Sequence, residues 1–142
     1  MKINNINNQQ ELKGIKNGYN WRYVGQVVNG LREGKGICYW EDGDRYEVDY
    51  KNDNKEGKGI YYHNNGNIYE GDFRNNLSDG KGIHYYHNVG KYEGDFRNDK
   101  AEGKGIFYYN NGDRMMGDYY NGNPIGKHVM LKRNGEVKTY NY

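Results

Sequence analysis

The sequence predicts an all-β fold: an elongated, single-layer antiparallel sheet of stacked β-hairpins, each 23 residues long. Three observations predict it. A tyrosine recurs at Tyr23, Tyr46, Tyr69 and Tyr92, and a pair of glycines two apart follows each one. Within each copy, residues alternate between aromatic or glycine and charged, the period of a strand. Finally, the aromatic load opposes the composition. Hydrophobic residues make up only 34%, below the roughly 45–50% of globular chains, and so much Asn, Lys and Gly would indicate disorder. Yet there are 17 Tyr, 3 Phe and 2 Trp, and Tyr buries a large ring while scoring as weakly hydrophobic. Apolar residues never recur at helical spacing for more than a turn, so helix is not predicted.

Taken in order, residues 1–22 form a polar N-terminal segment, Asn- and Gln-rich from Met1 to Gln10. Lys13-Gly14-Ile15-Lys16-Asn17-Gly18 reads as the second half of a copy with its middle deleted, a cap on the array. Five copies follow at 23–45, 46–68, 69–91, 92–114 and a degenerate 115–137, with 138–142 a C-terminal tail. Two residues after each leading position stand Gly25, Val48, Gly71, Gly94 and Gly117; two further on stand Val27, Tyr50, Phe73, Phe96 and Tyr119. The glycine pairs are Gly34/Gly36, Gly57/Gly59, Gly80/Gly82 and Gly103/Gly105, becoming Gly126/His128. Ile37, Ile60, Ile83, Ile106 or Val129 comes next. Turns close three copies at Asp42-Gly43, Asn65-Gly66 and Asn111-Gly112, and the third copy is shifted to Val89-Gly90.

In Tyr69-Glu70-Gly71-Asp72-Phe73-Arg74, the Tyr, Gly and Phe share one sheet face and the charges share the other. The next strand begins Gly80-Lys81-Gly82-Ile83. Glycine weakens a strand unless something lies close over it, so the aromatics of one strand are expected to cover the glycines of its neighbour. One hairpin cannot bury this surface; stacking supplies the core. Ten strands give a ribbon about 48 Å long.

Tyr69-Glu70-Gly71-Asp72-Phe73 with Gly80-Lys81-Gly82, and Tyr92-Glu93-Gly94-Asp95-Phe96 with Gly103-Lys104-Gly105, resemble the signature of the MORN (membrane occupation and recognition nexus) repeat. The resemblance runs from about Tyr23 to Val137 and departs most in the last copy, at Met115-Met116, Pro124 and His128. It implies a non-catalytic module. Proteins of this kind are associated with phosphoinositide or membrane attachment, and equally with protein contacts in cytoskeletal, ciliary and organelle-linked scaffolds. The repeat also occurs beside lipid kinase and protein methyltransferase domains.

Residue by residue, catalysis finds no support. His84 and His87 sit three apart on a strand and point to opposite faces, so they cannot pinch one metal. Cys38 takes the repeat position of Tyr61, His84 and Phe107, a packing position. Ser78 has no repeated partner. Gly30-Leu31-Arg32-Glu33-Gly34-Lys35-Gly36 imitates a phosphate loop but is one residue short and lacks the Ser or Thr that holds magnesium. No enzyme, cofactor or metal is therefore predicted. A net charge of +2 does not call for nucleic acid. Neither a signal peptide nor a membrane span is visible, and one cysteine fits a reducing compartment, so the expected location is cytoplasmic, with association to cytoskeleton or membrane left open.

The carboxylates also repeat. Asp49/Lys51, Asp72/Arg74, Asp95/Arg97, Glu33/Lys35, Glu56/Lys58, Asp79/Lys81 and Glu102/Lys104 are expected to pair two residues apart on a solvated, self-neutralising face. That balance cancels most of the field of the lysine row Lys35, Lys58, Lys81, Lys104 and Lys127, which places protein contact ahead of acidic lipid. The predicted partner is thus a protein, held in an aromatic- and glycine-lined groove whose candidate residues are Tyr46, Tyr50, Tyr69, Phe73, Tyr92, Phe96 and Tyr119. A peripheral membrane or phosphoinositide adaptor, and a regulatory module of a separate enzyme chain, are the alternatives. Lys127, His128, Met130, Leu131, Lys132, Arg133 and Lys138 form a candidate end patch for homodimer formation through the last copy, or for lipid.

Overall fold

The computed structural model describes residues 9–142 as one open antiparallel sheet in which every strand pairs with its sequence neighbours. The strands are β1 (Gln9–Lys16), β2 (Tyr19–Val28), β3 (Leu31–Trp40), β4 (Arg45–Lys51), β5 (Asn54–Tyr62) and β6 (Ile68–Arg74), then β7 (Leu77–Tyr86), β8 (Gly90–Arg97), β9 (Lys100–Tyr109), β10 (Arg114–Tyr120), β11 (Asn123–Leu131) and β12 (Val137–Asn141). The all-β, single-layer reading holds, with twelve strands rather than ten. The half-copy before Tyr23 supplies β1, and most of the expected tail lies in β12, paired to β11 from Lys127↔Asn141 to Leu131↔Val137. The polar stretch 1–8 lies outside the described residues.

Two kinds of turn alternate. Asn17-Gly18, Asn29-Gly30, Asn52-Asp53, Asn75-Asn76, Asn98-Asp99 and Asn121-Gly122 have positive φ at both residues, the type I′ geometry that follows the right-handed strand twist. At the other ends, Gly43, Gly66 and Gly112 take positive φ (98°, 90° and 94°), while in the third copy the positive φ falls one residue earlier, at Asn88 (61°). The turns also stitch copies together. The amides of Asp53, Asn76, Asp99 and Gly122 donate to the carbonyls of Arg32, Lys55, Ser78 and Ala101 at 3.0–3.1 Å. Glu33, Glu56 and Glu102 accept from the amides of Asn52, Asn75 and Asn121 at 2.8, 3.1 and 3.2 Å. These acids therefore hold turns.

The two glycines of each pair have separate reasons. Gly80 has φ of +112°, a left-handed backbone at an irregularity where Asp72 faces three residues of β7. Gly82 is extended, and a Cβ there would stand 2.6 Å from the Tyr69 ring. Tyr69 thus lies across Gly82 and Gly71, as Tyr23 lies across Gly36 and Gly25 and Tyr92 across Gly105 and Gly94. The expected ring-over-glycine packing is present in the copies led by Tyr23, Tyr69 and Tyr92, where it accounts for the second glycine of the pair and not the first.

Candidate functional site

The rings on the tyrosine face mostly bury one another. Of the seven groove candidates, Tyr50, Tyr69, Phe73, Tyr92 and Phe96 belong to the buried core, with Tyr46 and Tyr119 packed half-buried against it. Edge-to-face contacts link Tyr69 to Phe73 at 5.3 Å and Phe96 at 5.0 Å, and Tyr92 to Phe96 at 5.3 Å and Tyr119 at 4.9 Å. The Tyr69 hydroxyl donates to the Asp72 carbonyl at 2.9 Å. Burial pushes the Tyr23 and Tyr119 hydroxyls up to about 12 and raises those of Tyr50, Tyr69 and Tyr92 further. Side chains this deep hold the array together and leave no room between them for a ligand.

One ring is displaced. Val48 stands where the other copies have glycine, and its side chain fills the space over Gly59. Tyr46 stacks instead on Tyr61, 3.9 Å between ring centres, under the Lys55 ammonium at 3.6 Å. Burial lowers Lys55 to about 8. From Tyr61 a column of rings continues through His63, His84, Tyr86, Phe107 and Tyr109. Burial lowers His84 to about 4, and its Nε2 has no hydrogen-bond partner.

Concavity lies on the opposite face. An open trough of about 850 Å³ runs from Glu70 to Lys127, floored by Ile83, Ile106, Met116 and the glycine backbone. A second hollow of about 700 Å³ extends it from Glu70 back to Gln9 along Ile60 and Ile37. Its charges are paired across strands. Lys35 meets Asp49 at 3.3 Å, Lys58 meets Asp72, Lys81 meets Asp95 at 2.5 Å and Lys104 meets Asp118 at 3.3 Å. The pairs expected two residues apart do not form among the described residues. Each of these lysines instead meets the aspartate directly opposite it in the register, where side chains stand about 5 Å apart; other residues two apart on one strand do pair, as Arg45 with Glu47 at 3.3 Å.

The MORN repeat family model matches residues 23–45, 46–68, 69–88 and 92–114. This chain belongs to the MORN-repeat family. Its third match ends at Asn88, where the MORN copy takes its positive φ one residue earlier than the other copies do. No curated protein matches the sequence significantly. Among solved structures the chain is similar to the SAS-4 TCP domain of Drosophila melanogaster, in complex with a proline-rich motif of Ana2, at 13% identity and a TM-score of 0.46, covering 100% of this chain and 95% of that one.

The candidate end patch of the last MORN copy does not assemble. His128 is 0% exposed: its ring lies over Gly117, edge-on to Tyr119 at 5.3 Å and Tyr142 at 5.0 Å. The last copy has moved its covering ring from the first strand to the second, so Met115 and His128 are one exchange. Lys127, the adjacent residue, projects to the trough face. Met130 and Leu131 are half-buried; Lys132 reaches Asp113 at 3.8 Å and Lys138 reaches Glu136 at 3.4 Å. Arg133 packs beside the Gly112 turn. Cys38, 1% exposed, packs among the tyrosines, and burial raises its thiol. Sequence reasoning missed the trough itself, whose signal was the row Ile37, Ile60, Ile83, Ile106 and Val129 on the charged face.

Proposed function

We propose that this MORN array is a non-catalytic, cytoplasmic scaffold or adaptor that holds a protein partner in the trough of its Ile–Glu–Lys face. The observation that carries the reading is the floor of Ile83, Ile106 and Met116 in an open hollow where Lys81 and Lys104 are already neutralised by aspartates. Such a surface offers apolar area to a peptide or helix laid along it. It gives an acidic membrane little field to bind, which ranks the lipid reading second. A role as regulatory subunit of an enzyme chain is compatible with the same surface.

In-cell cross-linking with mass spectrometry tests this. Partner cross-links are expected on Lys81 and Lys104, and Ile83→Arg with Ile106→Arg is expected to abolish partner recovery while the circular dichroism spectrum stays that of the parent. Partners recovered equally from parent and variant would show that they dock elsewhere.

A further inference from the structure

The repeats act as one another's templates, and two of their built charge sites stand open in the trough. In three hairpins a cation sits between a tyrosine ring and a carboxylate. Arg22 lies over Tyr39 at 4.6 Å and reaches Glu11 at 4.0 Å. Arg45 lies over Tyr62 at 4.1 Å and reaches Glu47 at 3.3 Å. Lys91 lies over Tyr108 at 5.0 Å and reaches Glu93 at 3.9 Å. Each cation stands directly opposite its tyrosine in the register. In the β6–β7 hairpin that place is Ile68, opposite Tyr85. Glu70 and Tyr85 are both present, yet among the described residues neither meets a cation. Tyr85 is accordingly 37% exposed, where Tyr39, Tyr62 and Tyr108 are half-buried.

The second open site belongs to the lysine row. Lys35, Lys58, Lys81 and Lys104 each face an aspartate across the next strand. Lys127 faces Asn141 and has no acidic partner among the described residues. Glu70 and Lys127 line the two ends of the same trough, while the other charges lining it are paired within the chain.

We propose that these two sites receive a partner's charges. The occupant is a protein segment that brings an Arg or Lys to Glu70 and Tyr85 and an Asp or Glu to Lys127, with aliphatic side chains between them on Ile83, Ile106 and Met116. From β6 to β11 is five strand spacings, about 24 Å, which is about seven residues of extended chain or sixteen of helix. A guanidinium over the exposed Tyr85 ring gains both the ring's π-face and the carboxylate, as Arg45 does in its own copy. The proposal rests on the trough reading and adds the identity and spacing of the charges.

The test uses a random 16-residue peptide library panned on the full chain. Two variants fill the sites with the repeat's own residues, Ile68→Arg and Asn141→Asp, so the fold is retained by design and is checked by thermal melting. Enriched peptides are expected to carry one base and one acid at fixed separation. Each variant is expected to weaken their binding about tenfold, the effect of one charge-assisted contact. Enriched peptides that bind parent and both variants alike overturn the proposal; if Ile83→Arg still abolishes their binding, the trough reading survives. A library yielding no binder overturns both.

Discussion

Gly82→Ala isolates the physical reason for the repeat's second glycine. The added methyl would lie 2.6 Å from Cε2 and Oη of Tyr69 and 2.8 Å from Cζ, where carbon contacts settle near 3.5–4.0 Å. The ring must retreat by about 1 Å. It is hemmed by Phe73 and Phe96 at 5.3 and 5.0 Å, and retreat breaks its hydrogen bond to the Asp72 carbonyl. Overpacking costs about 1–3 kcal/mol and the lost hydrogen bond about 1, so a loss of roughly 2–4 kcal/mol is expected in urea denaturation followed by circular dichroism. In a Tyr69→Ala background the methyl meets no ring from Tyr69, and the same substitution should cost under about 1 kcal/mol, because Gly82 has no left-handed backbone to lose. Gly80→Ala should keep its penalty in both backgrounds, since its φ of +112° is disfavoured for any side chain. Equal costs for Gly82→Ala with and without the Tyr69 ring would refute the ring-over-glycine account.

Three further outcomes follow from the same geometry. His84 titrates at about 4 in the fold against 6.5 in the open chain, so the unfolded state holds the extra proton between those values. Stability is then complete above pH 6.5 and declines as pH falls toward 4, with His63 shifted the same way; melting temperatures across this window should flatten in His84→Phe. Because aspartates neutralise Lys35, Lys58, Lys81 and Lys104, co-sedimentation with acidic vesicles should be weak and lost at moderate salt, and tight, salt-resistant binding would promote the membrane reading. The edge strand β12 is exposed along Val137–Asn141 and pairs on one side only, so self-association through it predicts a dimer by light scattering that truncation after Gly112 abolishes; a monomer at high concentration rejects it.

The period, the strands and the tyrosine–glycine packing were legible because alternation fixes which residues share a face, and Tyr69 and Gly82 could then meet only across neighbouring strands. Which face is concave was not legible. Composition assigns the rings to one side, but that they fill their own space, leaving Ile83 and Ile106 to floor the hollow, depends on how closely the strands approach along the glycines. Ion pairing follows the register and not the sequence spacing: Arg74 is near Asp72 in sequence, but Lys58 stands directly opposite Asp72 and pairs with it. The type I′ turns at Asn29-Gly30 and Asn121-Gly122 carry a sequence signal of their own, Asn-Gly pairs between alternating strands.

Departures from the repeat divide by whether the fold compensates them, and that division separates stability from binding. Val48 removes a glycine, yet its own side chain covers Gly59 and Tyr46 finds Tyr61. Met115 removes a tyrosine, and His128 returns a ring over Gly117 from the other strand. In both places the buried surface is restored, so selection for a stable sheet is enough to explain them. Ile68 and Asn141 behave differently. Each removes one charge and leaves its partners in place: Glu70 with Tyr85, and Lys127. An exposed single charge costs the fold little, since a surface ion pair is worth about 0–1 kcal/mol, and stability alone would neither create nor erase such a gap. Both gaps open into one trough, at its two ends. A surface that is neutral between its ends and charged at each of them fixes the position of whatever lies along it, which is the property a scaffold's docking site requires.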